Sequence, residues 1–195
     1  MLELKKEKRL FMLIPSHTVL ASHVSDYISE KYGFHFVANA IYRGSVMPDL
    51  RDKEDGSHYS ENCLTNASSI LGEINSIAAA DMRAFSYKVG QLLHFIADYF
   101  TNAHNKEYLQ RNMRLHMLYE MRLHFKLTKA VKDFRFQSGS EVNPLGQIKV
   151  WHNEYKYGKG SVEKDLRYIL QACYYIADMV VAMFCRKKAD LLLAA

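Results

Sequence analysis

The sequence has few of the residues that break or cross-link a chain. It contains 3 prolines, 9 glycines and 3 cysteines in 195 residues. The scarcity of proline and glycine excludes collagen-like and linker-rich chains. Cys63, Cys173 and Cys185 are too few for a disulfide framework and have no CxxC spacing. With 49% hydrophobic residues, the chain is too apolar to be disordered and has the length of one compact domain.

Long uninterrupted hydrophobic runs are also missing. The longest apolar stretch, residues 169–185, is interrupted by Gln171 and Asp178. This pattern predicts a buried helix and no transmembrane segment. The apolar run at residues 10–14 is too short for the core of a signal peptide. We therefore expect a cytoplasmic protein, or a secreted one if the chain is a processed form.

Histidine is the residue that is present in unusual number, with nine in the chain. The formal net charge of +5 favours anionic partners but does not identify nucleic acid as one of them. The basic run KKEKR near the N-terminus is expected to be a solvated segment, with transient contact to a membrane surface as the alternative. No specific protein partner is expected.

The hydrophobic pattern is helical in most of the chain. It predicts helices over residues 16–31, 34–42, 61–77, 80–100, 106–132 and 161–184. Ser16 and Ser161 are the expected N-caps of the first and last helices, and Gly33 and Gly44 are expected to end the first two. Residues 45–60 and 137–160 are predicted to be long loops. The sequence therefore predicts an all-α fold, a single-domain helical bundle over residues 1–195.

Two of the predicted helices each carry a histidine and a carboxylate four residues apart. These pairs are His94 with Asp98 and His116 with Glu120, and the spacing places each pair on one helix face. The first pair lies in the apolar run GQLLHFIADYF, where an unpaired charge would be costly to bury. Imidazole and carboxylate groups are the ligands of catalytic zinc, so we predict a metal centre here. Further candidate ligands lie between or before these helices: His17, Asp49, His58 and His104.

In order and spacing, these residues resemble the zinc-dependent phospholipase C family, whose architecture is shared by the zinc-dependent single-strand nucleases. The family pattern is a histidine on the first helix, an Asp and a His in a long loop, then H-x3-D-x5-H and H-x3-E. The matching residues, within about residues 16–120, are His17, Asp49, His58, His94-x3-Asp98-x5-His104 and His116-x3-Glu120. The resemblance implies a helical bundle that uses two or three zinc ions to hydrolyse a phosphodiester.

The resemblance also implies how the ligands are shared. One zinc would be held by His58, His94, Asp98 and Asp49. The second zinc would be held by His104, His116 and Glu120. The third would be held by His17 and by Asp98 as a bridging ligand. Asp49 is the residue expected to orient or deprotonate the attacking water.

Two positions depart from the family pattern. The family completes its third zinc site with an N-terminal tryptophan about thirteen residues before the first histidine, whereas this sequence has Leu4 there and its single tryptophan is Trp151. The family often has proline two residues before the last histidine of H-x3-D-x5-H, where this sequence has Asn102. The first departure leaves the number of zinc ions, two or three, open.

Three functions remain open at this point. The first is a phospholipase C-like hydrolase whose substrate is a phospholipid or another phosphodiester, with nucleic acid or a small phosphoester as alternatives. The second is an HD-type metal hydrolase, which is disfavoured because the sequence has neither a His-Asp dipeptide nor HExxH. The third is a zinc-binding helical protein without activity.

Four histidines fall outside the predicted metal centre. His124 continues the helical spacing of His116 and Glu120, so it is a candidate partner of a metal ligand. His23, His35 and His152 have no partner at ligand spacing and are expected to have ordinary structural roles.

Overall fold

The computed structural model describes residues 14–51, 60–104, 113–136 and 143–193. These residues form seven α-helices and one 3-10 turn, and the described part of the chain contains no strand. In chain order the elements are α1 (Ile14–Tyr32), α2 (Ala38–Arg51), α3 (Ser60–Ser76), α4 (Met82–Tyr99), the 3-10 turn Asn102–His104, α5 (Met113–Asp133), α6 (Pro144–Lys156) and α7 (Val162–Leu193). The predicted all-α fold is confirmed.

Two helix ends have the local structure that the sequence predicts. Gly33 ends α1 with a φ of 61°, and its N–H donates to the carbonyl of Ser29 at 2.9 Å. Ser161 precedes α7, and its hydroxyl accepts a hydrogen bond from the N–H of Lys164 at 3.2 Å. The prediction for Ser16 is wrong, because Ser16 lies inside α1.

The second helix differs from its prediction. It begins at Ala38 and continues through Gly44 and Pro48 to Arg51, where a glycine stop and a long loop were expected. A Cβ atom on Gly44 would overlap the backbone of Tyr87, and one on Gly90 would overlap the backbone of Ile41. The glycines are therefore needed where α2 and α4 approach each other closely, which is a tertiary requirement and not a helix end.

A helix also replaces part of the predicted loop at residues 137–160. Helix α6 covers Pro144–Lys156, and Asn143 caps it by accepting a hydrogen bond from the N–H of Gly146 at 3.0 Å. Pro144 occupies the first turn, where its missing N–H has no cost. The proline that indicated a loop therefore marks the start of a helix.

Helices α4 and α7 form the centre of the bundle. Helix α4 packs against α1, α2, α3 and α7, and every residue from 92 to 99 is buried. Among the described residues, one segment, Val162–Asp190 of α7, is long and apolar enough to cross a membrane by length and composition. In the most apolar part of this segment, 72% is buried inside the bundle, as is typical of a core helix.

A buried carboxylate joins the C-terminal part of α1 to α7. Asp178 accepts hydrogen bonds from the hydroxyl of Tyr27 at 2.9 Å, from Nζ of Lys31 at 2.6 Å and from the hydroxyl of Tyr32 at 3.0 Å. These donors compensate the burial of the carboxylate, so this cluster explains why α7 tolerates a charge in its apolar stretch.

Candidate metal centre

Seven of the eight predicted ligands lie together in the interior. They form an upstream group, His17, Asp49, His94 and Asp98, and a downstream group, His104, His116 and Glu120. Within each group the ligand atoms lie within 4.8 Å of one another. All seven residues are buried, with Asp49 the most exposed at 8%. The eighth predicted ligand, His58, lies outside the described residues.

The upstream group joins α1, α2 and α4. Nε2 of His17 lies 3.5 Å from Oδ1 of Asp98, and Nε2 of His94 lies 3.2 Å from Oδ2 of the same carboxylate. The two imidazoles stack with ring centroids 4.0 Å apart. Asp49 reaches this pair from α2, with oxygens 3.9 Å from Nε2 of His17 and 3.7 Å from Nε2 of His94.

The downstream group joins α5 to the 3-10 turn. Oε1 of Glu120 lies 2.9 Å from Nε2 of His116, one helical turn away, and 3.4 Å from Nε2 of His104. Nδ1 of His116 and Oε2 of Glu120 are buried and have no hydrogen-bond partner among the described residues. Buried polar atoms normally have a partner, so these two atoms are suited to a ligand or an ordered water.

Asp98 connects the two groups. Its Oδ2 lies 3.4 Å from Nδ1 of His104, while Nε2 of His104 faces Glu120 on the other side of the ring. Asp98 therefore faces three histidines, His17, His94 and His104, from three different elements. This central position is the one that a bridging carboxylate requires.

The donor atoms fit divalent zinc. Zinc takes nitrogen and oxygen ligands at about 2.0–2.2 Å in tetrahedral geometry, which places neighbouring donor atoms about 3.4 Å apart. The distances from Asp98 to its three histidines, 3.2, 3.4 and 3.5 Å, are close to that value. The set of nitrogen and carboxylate donors, without any cysteine, is also typical of catalytic zinc sites.

The close approach of α2 to α4 orients His94. Its Nδ1 lies 2.9 Å from the backbone carbonyl oxygen of Ser45, the residue after Gly44. A carbonyl can only accept, so this contact places a proton on Nδ1 and leaves Nε2 as the ring atom that faces the carboxylates and can bind a metal once its own proton is lost. The same helix continues to Asp49, which lies on α2 and not in the loop that the sequence predicts.

The carboxylates determine the protonation of the imidazoles. Burial alone would lower the pKa of His94, but Asp98 and then Asp49 outweigh it and raise that pKa. For His104 burial is again opposed, by Asp98 and Glu120, and its pKa lies well above the ordinary value. The three carboxylates thus require positive charge among the imidazoles, and a divalent cation meets that requirement without the protons.

Asp165, a buried carboxylate in the first turn of α7, holds the turn that carries His104. Oδ2 of Asp165 accepts from the N–H of Asn102 and from the hydroxyl of Tyr119, both at 2.8 Å. Oδ1 accepts from the hydroxyl of Tyr155, also at 2.8 Å. Burial raises the pKa of Asp165 to about 6, while its three donors oppose the shift. The signal for this role in the sequence was a single acid next to an apolar run, which is too weak to predict it.

His124, a candidate partner of a metal ligand, contacts helix α1. Nδ1 of His124 lies 3.0 Å from the hydroxyl of Ser16, the residue before His17. His124 therefore contacts the neighbour of a predicted ligand and not a ligand itself. The other three histidines are placed as ordinary residues: His35 contacts Ser29, His152 stacks on Tyr99, and His23 is half-buried on α1.

Comparison with known families agrees with this geometry. The searches among curated proteins and among solved structures each gave no match. The family model described as zinc dependent phospholipase C matches residues 16–177, a range that contains all eight predicted ligands and most of the helical bundle. The chain therefore belongs to the zinc-dependent phospholipase C family.

Proposed function

We propose that this protein is a zinc-dependent phosphodiesterase that cleaves phospholipids in the manner of a phospholipase C. The observation that supports this most directly is the clustering of seven buried histidine and carboxylate residues from five elements, with Asp98 and Glu120 at the centres of the two groups. Such a concentration of buried charge has no evident value for stability and is typical of metal hydrolases. The family to which the chain belongs favours a phospholipid over nucleic acid.

The two groups are suited to hold one zinc ion each, with Asp98 shared between them. Zinc supplies a Lewis acid for the phosphate oxygens and lowers the pKa of a bound water. His58 would complete the upstream group. The two groups thus support at least two ions. The family pattern assigns His17, which lies in the upstream group, to a third ion, and we propose that ion as an addition to the two.

Asp49 is the carboxylate that we assign to the attacking water. Asp98 is fully buried between its three histidines, whereas Asp49 is the most exposed of the seven residues. The oxygens of Asp49 also lie farther from His17 and His94 than those of Asp98. Of the two carboxylates, the one with the longer contacts to the histidines is better suited to accept a proton from a water, because the other is held between three imidazoles.

The reaction would be an in-line displacement at phosphorus. Asp49 accepts a proton from the attacking water while the water oxygen forms a bond to phosphorus. The bond from phosphorus to the glycerol oxygen breaks on the opposite side, and that oxygen takes up a proton from water. The products would be diacylglycerol and a phosphorylated headgroup.

The test combines metal content with hydrolysis. Protein purified without added metal is analysed for zinc per chain, and release of phosphocholine from phosphatidylcholine is measured beside cleavage of single-stranded DNA. We expect at least one zinc per chain and hydrolysis of the lipid that is lost in a chelator and restored by zinc. The variants are His94→Ala and Glu120→Ala, with His35→Ala as the matched control at an exposed histidine.

Three outcomes would contradict the proposal. Less than one zinc per chain would remove the metal centre. Zinc without hydrolysis of any phosphodiester would indicate the inactive zinc-binding protein. Cleavage of DNA and not of lipid would indicate a nuclease on the same scaffold.

A further inference from the structure

We propose that the outward face of α5 is a docking surface for bilayers that contain anionic phospholipid. This outward face is defined by four exposed apolar residues and three exposed basic ones. The apolar residues are Leu115, Leu118, Met121 and Phe125. The basic residues are Arg122, Lys129 and Lys132. The docking itself does not depend on the metal centre; only its relevance to catalysis rests on the proposed function.

The apolar residues of this face are not part of the core. Phe125 is 68% exposed, and Leu115, Leu118 and Met121 are between 41% and 53% exposed. The buried residues of α5 lie on the opposite side of the helix: His116, Glu120, Leu123, Leu127 and Val131. At 100° per residue, Leu118 and Phe125 lie about 180° from the centre of this buried side. Helix α5 thus has two apolar surfaces: one packs in the interior, and the other is exposed to solvent.

The charges on the same face have one sign. The basic residues Arg122 and Lys129 lie beside Leu118 and Phe125 in helical projection. On α5 the acidic residues are Glu120, which is buried in the metal centre, and Asp133 at the last position. Lys126 is not included in the face because it forms an ion pair with Glu163 of α7.

This combination is complementary to a bilayer with anionic headgroups. Basic side chains attract the headgroups, while exposed Leu, Met and Phe side chains insert at the boundary of the acyl chains. A nucleic acid backbone would use the charges but would leave the large aliphatic residues in water. The observations therefore favour a lipid surface.

Docking through this face would bring the predicted metal ligands close to the membrane surface. His116 and Glu120 lie on the inner side of the same helix whose outer side carries Leu118 and Phe125. Attachment through α5 would hold the downstream group within about one helix diameter, roughly 10 Å, of the membrane surface. An enzyme that acts on phospholipids would then meet its substrate at high local concentration.

The test is cosedimentation with vesicles made of equal parts phosphatidylcholine and phosphatidylglycerol, beside vesicles of phosphatidylcholine alone. Two double variants remove the components of the face separately: Leu118→Ser with Phe125→Ser, and Arg122→Gln with Lys129→Gln. The matched controls remove exposed residues elsewhere: Val150→Ser with Tyr157→Ser, and Lys149→Gln with Lys188→Gln. Folding of each variant is checked by circular dichroism.

We expect binding to the mixed vesicles that weakens in salt. The apolar double variant should lose at least about tenfold in partitioning, because the two partly exposed apolar side chains together gain about that much from insertion. The basic double variant should lose about fivefold per residue removed. Both control pairs should bind like the parent protein.

Other results would overturn the proposal. They are the absence of vesicle binding, binding that the apolar variant retains, and an apolar variant that changes only the oligomeric state in size-exclusion chromatography. Hydrolysis of a short-chain phosphatidylcholine that is soluble as a monomer separates this proposal from the proposed function, because it requires no vesicle surface. Docking without hydrolysis refutes the function and leaves the docking surface standing, whereas hydrolysis without docking does the reverse.

Discussion

The N–H of Asn102 donates a 2.8 Å hydrogen bond to Oδ2 of Asp165, and this bond ties the turn that carries His104 to the first turn of α7. The same carboxylate accepts a bond from Tyr119, the neighbour of Glu120, and one from Tyr155 on α6. Proline, which the family often has at the position of Asn102, has no N–H and could not donate this bond. In this chain the downstream group therefore depends on a carboxylate that is not itself a ligand.

Replacing Asp165 should weaken metal binding more than it weakens the fold. We expect Asp165→Ala to remove the acceptor of three hydrogen bonds, one of them from the buried Tyr155, and to lower the free energy of unfolding by about 3 kcal/mol. His104 and Glu120 would lose their common anchor, so zinc affinity should fall by about tenfold or more, a typical cost for losing a partner of a metal ligand. The measurement is zinc affinity by competition with a chromogenic chelator.

Asp178→Ala is the matched control, because Asp178 lies on the same helix, is buried and also accepts two tyrosine hydroxyls. It should lower stability by a similar amount and leave zinc affinity unchanged. Asn102→Pro should reproduce part of the loss at Asp165, since it removes one donor only. Equal zinc affinities in Asp165→Ala and Asp178→Ala would show that Asp165 has only a structural role.

The sequence predicted those parts of the molecule that depend on local pattern. Helices α3, α4 and α7 follow from hydrophobic periodicity and caps, and the pairs His94–Asp98 and His116–Glu120 follow from a spacing of four on a helix. These features need no knowledge of the neighbouring elements. The all-α class follows for the same reason.

The features that the sequence did not predict depend on contacts between distant elements. Gly44 was interpreted as a helix stop because a glycine usually breaks a helix, but α4 approaches at that point and only a residue without a side chain fits. The role of Asp165 was not predicted, because its partners Asn102, Tyr119 and Tyr155 lie on three other elements. Neither requirement is visible before the helices are packed.

The contact between α2 and α4 should be intolerant of any side chain at its glycines. We expect Gly90→Ala to lower the free energy of unfolding by about 3 kcal/mol, because its Cβ would overlap the backbone of Ile41 and force the helices apart. Separation of the helices would also move the carbonyl of Ser45 from His94 and reduce zinc retention. Chemical denaturation and zinc analysis measure the two effects.

Gly72→Ala provides the comparison, since Gly72 is also in a helix but has no atom within 4 Å of an added Cβ. That variant should gain about 0.5–1 kcal/mol from the better helix propensity of alanine. If Gly90→Ala behaved like Gly72→Ala, the close approach of α2 and α4 would not exist in solution.

Zinc binding should release protons and strengthen with pH. The carboxylates raise the pKa values of His94 and His104, so the metal-free protein holds protons on these rings to higher pH than ordinary imidazoles do. Zinc must displace those protons, and its apparent affinity should therefore fall as pH is lowered through the neutral range. Calorimetric titration of zinc at about pH 7 in two buffers of different ionisation enthalpy counts the protons. Identical heats in the two buffers would contradict the expectation. As a control, His35→Ala should release the same number of protons per zinc as the parent protein.

His152 should make the fold sensitive to mild acid independently of the metal centre. Its ring stacks on Tyr99 with centroids 3.6 Å apart, and burial together with the charge of Lys156 lowers its pKa to about 4. A histidine in the unfolded chain takes up its proton near pH 6.5, so the unfolded state is favoured as pH falls from about 6.5 to about 4. The free energy of unfolding should therefore decrease by about 2 kcal/mol between neutral pH and pH 5 because of this one residue.

His152→Phe is the control, because it keeps an aromatic ring over Tyr99 and removes the titration. Urea denaturation at both pH values should show a smaller decrease in the free energy of unfolding of this variant. The metal ligands are common to both proteins and cancel in the difference, and equal losses in the two proteins would place the pKa of His152 near its ordinary value.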